Sequence, residues 1–422
     1  MNARHSRTVA ACAVAAVLSL GAAGCGASPA GESNVTAAQD VTLHVLGYAF
    51  DKTPGIFDAF TEATGIKVTL EQVQSDQLPS VLQSRVSAKT DLDLINLRGG
   101  AEFNKYAEAG TFTNISDAGF LANVSAGAVE NGKFDGKSYG YSISADTVGV
   151  FYNTELFDSL GIKVPTNWDE FMAANATIRD HADGVAPLVA SAGESWSNQY
   201  YYHNAVATFA QENPQFMADL KSGDATWADN TLLLRQFERF QGLAESDSFL
   251  TGSQSLKYSD AQAAFAGGKA AMWVMGSWGL GGLTPAGFTP GAFALPINDA
   301  GEPPAVASSL SDKIVGVTSW SSHPEEALQL LEWMTSEEFG NALQEGQGVK
   351  STVAGISAPY SEFQADWDGL FPDAIPFPAN LAPTVNGEGP AVIGGILNGT
   401  LSPADAVARF DELQATDNKL GY

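Results

Sequence analysis

The chain has 422 residues, of which 45% are hydrophobic, and its 48 acidic residues against 21 basic ones give a formal net charge of −27. Such a negative field repels phosphate backbones and anionic lipid headgroups, so we exclude a nucleic-acid-binding function. A hydrophobic content of this size over this length is sufficient for two lobes, each with its own core.

The N-terminal residues carry the features of an export signal. Arg4 and Arg7 form a basic head before the apolar stretch 9–20, and a run of small residues then leads to Cys25. An apolar stretch of about a dozen residues is too short to span a bilayer, which takes roughly 20. Small residues directly before a cysteine resemble a lipobox, which predicts a lipoprotein signal peptide over 1–24 and a lipid on Cys25. The alternative is ordinary signal-peptidase cleavage near the same place.

Residues 25–40 are predicted to be a flexible tether, because they are small and polar and show no apolar periodicity. Cys12 lies in the predicted signal peptide, so Cys25 is the only cysteine expected in the exported chain. An internal disulfide is therefore excluded, and we expect the fold to be stabilised by its core alone.

From Asp40 onward the pattern alternates between strand and helix. Strands are predicted at 41–46, 66–70 and 92–97, and helices between them begin at Pro54 and near Leu78. This β-α-β-α-β order indicates a mostly parallel sheet with helices on both faces.

The same alternation returns in the second half of the chain. Ser259 opens a capping box for a short helix that ends at Gly267, and a buried strand follows at 270–275. Further helices are predicted to begin at the capping residues Ser322 and Ser402. No internal repeat of fixed period is visible, which argues against a solenoid.

Three stretches of the chain carry recognisable motifs. The strongest is YGYSISADTVGVFYNTELF at 139–157, followed by GIKVPTNWDEF at 161–171. The second is FAGGKAAMWVMGSW at 265–278, and the third is the helix 324–334. Together they resemble the extracellular solute-binding proteins (family 1) of ABC sugar importers, the group similar to the maltose-binding protein. Ser142 stands where that family usually has a proline.

This resemblance implies an α/β fold with two lobes, of the periplasmic-binding-protein type II, in which each lobe is a mostly parallel sheet flanked by helices. A ligand cleft and a hinge are expected between the lobes. The expected division assigns 41–143 and 296–345 to the first lobe, and 144–295 and 346–422 to the second.

The resemblance also implies a function. We expect a non-catalytic, monomeric receptor, held by its lipid on the outer face of the cell membrane. It is expected to bind a mono- or oligosaccharide in the cleft and to deliver it to the permease subunits of an ABC importer. No cofactor and no metal are expected.

Trp278 is the first candidate ligand residue. It follows the predicted strand 270–275, at the end of a sheet where loops face a cleft. The apolar C–H face of a pyranose stacks on an indole, and the matching tryptophan of the family stacks on sugar. The alternative for Trp278 is an ordinary core residue, which is our interpretation of Trp273 on the same strand.

Asp146 is the second candidate, because it lies beside the predicted lobe crossing. One carboxylate accepts two hydroxyl donors at once, and such charge-assisted hydrogen bonds are stronger than neutral ones. The family has an acidic sugar ligand near this position. The alternative is a hinge residue that caps a turn.

The other candidates lie at predicted strand ends and in loops. Glu194 and Trp196 follow a short apolar strand and place a carboxylate beside a ring, whereas the neighbouring Tyr200–Tyr202 run is interpreted mainly as packing. Arg98 ends the strand 92–97, where its guanidinium suits either hydroxyl pairs or a nearby acid. The remaining candidates are Asn96, Tyr48, Asp51, Asn386 and Glu388.

Two other classes of function stay open. The same fold with another cargo, such as a polyol or a polyamine, is compatible with acids beside aromatic rings, whereas a phosphate ligand needs clustered basic residues that this chain lacks. A secreted glycosidase needs two carboxyls about 5–5.5 Å or 6.5–9.5 Å apart. No Gly-x-Ser-x-Gly or His-Glu-x-x-His motif occurs, and the histidines are never spaced as metal ligands.

Overall fold

The computed structural model describes residues 41–47, 53, 55–73, 77–283, 286–310, 313–347, 349–356, 371, 373–378 and 381–420. The predicted signal peptide and tether, with Cys25, lie outside the described residues, as do the candidates Tyr48 and Asp51. In the part that is described, no helix combines the length and the apolarity that crossing a membrane requires.

The strands and helices alternate over most of the described chain. In chain order, the strands are β1 (Thr42–Gly47), β2 (Lys67–Gln72), β3 (Leu94–Arg98), β4 (Lys133–Phe134), β5 (Lys137–Ser138), β6 (Tyr141–Ser142), β7 (Asp146–Asn153), β8 (Ala186–Val189), β9 (Ala270–Gly276), β10 (Pro290–Phe293), β11 (Ser308–Leu310), β12 (Lys313–Val317) and β13 (Ile375–Pro376). The helices are α1 (Asp58–Thr64), α2 (Leu78–Ala88), α3 (Ala101–Glu108), α4 (Ala126–Asn131), α5 (Thr154–Leu160), α6 (Trp168–His181), α7 (His203–Glu212), α8 (Phe216–Ser222), α9 (Thr231–Glu245), α10 (Tyr258–Ala266), α11 (Pro324–Trp333), α12 (Glu337–Gln347), α13 (Pro383–Leu397) and α14 (Pro403–Leu420). Short 3-10 helices lie at Gly119–Asn123, Ser195–Tyr201, Trp227–Asp229 and Ser277–Gly282.

The first lobe is built on a sheet with the strand order β2-β1-β3-β12-β6. β1 pairs in parallel with β2 and with β3, so the three strands predicted in this part of the chain are confirmed with small shifts at their ends. Apolar side chains cover both faces of the sheet. Phe60, Leu330 and Phe339 pack on one face, and Leu82 and Phe103 pack on the other.

The first helix begins later than predicted. Residues 55–57 form a turn, in which the Asp58 amide donates to the Gly55 carbonyl oxygen at 2.9 Å, and α1 begins only at Asp58. Gly55 has a φ of +76°, a left-handed conformation that glycine adopts without strain. The turn therefore delays the helix that the Pro54 signal predicted.

The second lobe is built on a sheet with the order β13-β11-β7-β9-β8, in which β10 also pairs with β7. Its core is the largest of the described chain and includes Trp273, which is fully buried as predicted. α9 shows how the sequence builds this core. Its N-cap Asn230 accepts the Leu233 amide, and the helix then buries Leu233, Phe237 and Phe240 along one face.

The expectation of a mostly parallel sheet in each lobe is wrong. In the first sheet two of the described pairings are parallel and two are antiparallel, and the second sheet departs further. β7 runs antiparallel to β9, to β10 and to β11, and only two of the strand pairs in this sheet are parallel among the described residues. The reason lies in the connections. β7 enters this sheet directly from the other lobe, without the crossover helix that makes neighbouring strands parallel. β12 enters the first lobe in the same way and runs antiparallel to β3.

Strand pairing also locates the passages between the lobes. β6 pairs in the first sheet and β7 in the second, so the first passage lies at 143–145. β11 pairs with β7 in the second sheet, whereas β12 pairs in the first. We therefore propose that the return segment begins after Leu310 rather than at 296. Val353 still packs in the core of the first lobe, so we also move the last boundary beyond 353.

Candidate functional site

The candidate site lies where the lobes meet, at the end of β9. This strand is buried along its whole length, and the chain then leaves it through Gly276, Ser277 and Trp278. Trp278 is partly buried and contacts the apolar cores of both lobes. An aromatic ring that belongs to one lobe but touches both is therefore placed at their junction.

The conformation of Trp278 depends on the absence of a side chain at position 276. A Cβ added to Gly276 would lie 2.0 Å from Cζ3 of the Trp278 indole, so the ring occupies the space that any larger residue would need. The ring of Tyr200 also lies close to the indole, with the two ring centroids 5.4 Å apart. The ring is thus folded back over the end of its own strand.

Trp278 is part of a cluster that we call the aromatic wall, formed by Trp196, Tyr200, Tyr258 and Trp278. The centroid of Trp196 lies 6.0 Å from Tyr200 and 5.7 Å from Tyr258. Tyr200 therefore lies between two indoles that are both partly exposed. The structure brings together the two tryptophans that the sequence singled out. Tyr200, which contacts both, is itself buried in the core of the second lobe, as the packing interpretation predicted.

Tyr201, Tyr202 and His203 follow Tyr200 in the chain, and of these three His203 contacts the Tyr200 ring among the described residues. Tyr201 and Tyr202 are buried in the core of the second lobe, as predicted, and burial raises the pKa of both phenols. The imidazole of His203 stacks on Phe377 with ring centroids 3.7 Å apart and lies 5.2 Å from the ring of Tyr200. Burial lowers the pKa of His203 to about 3, so this imidazole is neutral at physiological pH.

Asp146, the first residue of β7, is almost completely buried, with 1% of its side chain exposed. Its Oδ1 accepts from Ser277 Oγ at 2.9 Å, and its Oδ2 accepts from Ser144 Oγ at 3.2 Å and from Lys313 Nζ at 3.3 Å. Both carboxylate oxygens are therefore bound to protein donors. The sugar-binding role expected for Asp146 stays a prediction, since a ligand hydroxyl would have to displace one of these donors.

Glu194 is held by the protein in a similar way. Its Oε2 accepts the Tyr258 amide at 2.8 Å, at the start of α10. A carboxylate at the N-terminus of a helix is stabilised by the unpaired amides and the helix dipole. Glu194 therefore connects the loop that carries Trp196 to the helix that carries Tyr258, and it helps to build the aromatic wall.

The candidates from the first lobe lie on β3. Asn96 is fully buried, its Nδ2 donates to the Ile314 carbonyl oxygen at 3.3 Å, and its Oδ1 has no hydrogen-bond partner among the described residues. Arg98 is half-buried and is paired in register with Lys313 on β12. Arg98 therefore lies at the same end of the first sheet as the cation that contacts Asp146.

The two candidates on α13 have no described contact with Asp146. Asn386 is partly buried in the second turn of the helix. Glu388 is exposed and pairs with Arg409 of α14, whose Nη2 lies 3.2 Å from its Oε2. No described contact connects Glu388 to the aromatic wall.

Sequence reasoning missed Ser277 and Lys313. Ser277 stands between Gly276 and Trp278, so its position gave a usable signal once Trp278 had been selected. Lys313 gave none, because it is 167 residues from Asp146 along the chain. Within the described ranges, no group of three His, Cys, Asp or Glu side chains is placed to hold a metal ion.

Comparison with known proteins identifies the family to which this chain belongs. The model of the family described as "Bacterial extracellular solute-binding protein" matches residues 49–340. A multiple sugar-binding protein of Streptococcus mutans is 24% identical to this chain over 69% of the chain and 69% of that protein.

Solved structures show the same fold. A chitin oligosaccharide binding protein superposes with a TM-score of 0.77 at 22% identity, over 90% of this chain and 99% of that one. The solute-binding protein RafE in complex with raffinose gives a TM-score of 0.73 at 22% identity, over 90% and 100%. The predicted α/β fold with two lobes is confirmed.

Proposed function

Because this chain belongs to the bacterial extracellular solute-binding proteins, we propose that it is a non-catalytic receptor that binds a mono- or oligosaccharide between its lobes and delivers it to an ABC importer. Two matched proteins support a carbohydrate cargo. The relative from Streptococcus mutans is a multiple sugar-binding protein, and the structure of RafE contains raffinose.

The observation that carries this proposal is the placement of Trp278. Its indole is partly exposed, touches the cores of both lobes and belongs to the aromatic wall. A pyranose ring has an apolar face that packs on such a surface, and an aromatic pair contributes about 0.5–1.5 kcal/mol beyond the burial of area. Micromolar affinity corresponds to about −8 kcal/mol. One or two stacked rings with several hydroxyl hydrogen bonds are enough to reach it.

The roles of the polar candidates follow from where they lie. Asn96 has a buried carbonyl oxygen without a described partner, and Arg98 lies at the end of β3 near the passage between the lobes. We propose that these two residues supply polar contacts from the first lobe. Tyr48, Asp51 and Asn386 remain candidates by position alone.

Export and anchoring complete the proposal. The basic head, the short apolar stretch and the small residues before Cys25 support a cleaved signal peptide with a lipid on that cysteine. Residues 25–40 would then tether a monomeric receptor to the outer face of the membrane, within reach of the permease.

A binding screen tests the proposed cargo. Isothermal calorimetry of the exported chain would use raffinose, stachyose, chitotriose, xylotriose and glucose, together with mannitol and spermidine. We expect saturable micromolar binding of at least one sugar, and loss of that binding in Trp278→Ala. Trp320→Ala is the matched control, because Trp320 is also partly buried but lies beyond the opposite end of β12, where its Nε1 donates to the Thr90 carbonyl oxygen.

Binding of spermidine or mannitol alone would replace the sugar by another cargo on the same fold. Shorter products after incubation with stachyose would instead reveal a glycosidase. No response to any sugar of the panel would contradict the proposal.

A further inference from the structure

Ser277 attaches the turn that carries Trp278 to the start of β7. Its hydroxyl donates to Asp146 Oδ1 at 2.9 Å and accepts the Thr147 amide at 3.3 Å. Ser277 is itself buried, with 1% exposed. Since Trp278 is the next residue, the backbone from which the indole projects is held by these two hydrogen bonds.

The other carboxylate oxygen of Asp146 extends this connection to the first lobe. Lys313 is the first residue of β12, in the first sheet, and its Nζ lies 3.3 Å from Asp146 Oδ2. Its side chain is only 14% exposed, so this ion pair is largely shielded from water. A shielded charge that loses its partner is costly. Any movement of the lobes that separates Lys313 from Asp146 therefore changes the surroundings of the carboxylate that holds Ser277.

We propose that Asp146 is a positioning residue that orients Trp278 through Ser277, and that Lys313 makes this orientation depend on the arrangement of the two lobes. The inference rests on the proposed function in one respect, which is that Trp278 is the surface on which the sugar stacks. It assigns to Asp146 a role without direct sugar contact. A ligand shifts a conformational equilibrium only by binding the two states differently. Here the two states are two arrangements of the lobes, with and without the contact between Lys313 and Asp146, and the indole is oriented differently in each.

Fluorine NMR on the ligand-free protein tests the connection directly. The chain is labelled with 5-fluorotryptophan, and the Trp278 resonance is assigned by its loss in Trp278→Phe. We expect Ser277→Ala to shift or broaden this resonance. Ser253→Ala is the matched control, since Ser253 is also a buried serine of the second lobe whose Oγ accepts a backbone amide at 3.3 Å, that of Ala190. It is expected to leave the Trp278 resonance unchanged.

A charge-neutral double variant separates positioning from simple loss of stability. Lys313→Met alone leaves a buried carboxylate without its cation and is expected to disturb the Trp278 resonance. In Lys313→Met combined with Asp146→Asn, no unpaired charge remains, and the amide oxygen still accepts from Ser277. We expect the Trp278 resonance of this double variant to return towards its original position.

Two outcomes would overturn the inference. One is a Trp278 resonance that stays unmoved in both Ser277→Ala and Lys313→Met while both proteins remain folded by circular dichroism. The other is a loss of affinity of about tenfold or more for the best sugar of the panel in the double variant with an unmoved Trp278 resonance, because this would mean that Asp146 or Lys313 contacts the sugar itself. If no sugar binds at all, the proposed function fails, but the fluorine result on the ligand-free protein still stands.

Discussion

The indole of Trp278 lies directly on the backbone of Gly276, in the space where a Cβ would be placed 2.0 Å from the ring. The indole of Trp278 therefore fits in this place only because position 276, at the end of β9, has no side chain. The ring also packs against Tyr200, with the ring centroids 5.4 Å apart.

We expect Gly276→Ala to displace the indole and to lower the affinity for the bound sugar by about tenfold or more, which corresponds to about 1.4 kcal/mol. Calorimetry with the best sugar of the panel measures this. Gly127→Ala is the control, because a Cβ there meets no atom within 4 Å. Equal affinities of the two variants would contradict the importance of this contact.

Because burial lowers the pKa of His203, we expect the protein to lose stability in acid. Its pKa is about 3 in the folded chain and about 6.5 when unfolded. Between these values the unfolded state binds a proton that the folded state does not. The free energy of unfolding therefore falls as the pH falls from about 6.5 towards 3, by up to about 1.4 kcal/mol per pH unit from this residue.

Urea unfolding at several pH values between 4 and 7 checks this contribution. His203→Phe keeps a ring against Phe377 and is expected to show a shallower loss of stability with acidification than the original protein. His181→Gln, which changes an exposed histidine, is expected to keep the original slope. An unchanged slope in His203→Phe would mean that His203 is not the origin of the effect.

Asp417 anchors α13 from the last helix. It is fully buried and accepts the Thr384 amide at 2.9 Å and the Val385 amide at 3.3 Å through Oδ2, and its Oδ1 accepts from Thr384 Oγ1. We expect Asp417→Asn to lower the free energy of unfolding by about 1–3 kcal/mol, because an amide group cannot accept all of these donors.

The control on the same helix is Glu412→Gln. Glu412 is exposed and pairs with Arg409, so we expect a cost of about 0.2–1 kcal/mol. Chemical denaturation compares the two variants. A similar small effect in both would show that Asp417 is not needed to hold the start of α13.

The lipid proposed for Cys25 determines in which cell fraction we expect the protein. In a bacterium that processes lipoproteins, the original chain is expected in the membrane fraction and labelled by a clickable fatty acid. Cys25→Ser is expected to lose the label and to appear in the soluble fraction. Cys12→Ser, within the predicted signal peptide, serves as the control and should behave like the original chain. A fatty-acid label that persists in the Cys25→Ser protein would contradict a lipid anchor at this residue.

Several features could be predicted because they depend on residues close together in the chain. The motifs at 139–157 and 265–278 predicted the family, which is confirmed. Alternating strand and helix patterns predicted β1, β2 and β3, and continuous apolarity predicted the buried strand that carries Trp273. Each of these is determined by short-range periodicity, capping or composition, which a single sequence contains in full.

The direction of β7 and β12 could not be predicted in the same way. A βαβ pattern implies parallel neighbours only where a crossover helix connects two strands of one sheet. Strands that arrive from another lobe obey no such rule, so the predicted crossing near Asp146 did not reveal the direction of the strand that follows it.

The sequence by itself determined the family, the order of most helices and strands, and the choice of Trp278 as the ring to examine. Only the tertiary structure decided what surrounds that ring. Asp146 meets Ser277 across 131 residues and Lys313 across 167, and these contacts exist because the chain passes repeatedly between two sheets. Whether a charged group meets a hydroxyl depends on the distance between them in space, and their separation along the chain does not reveal this distance.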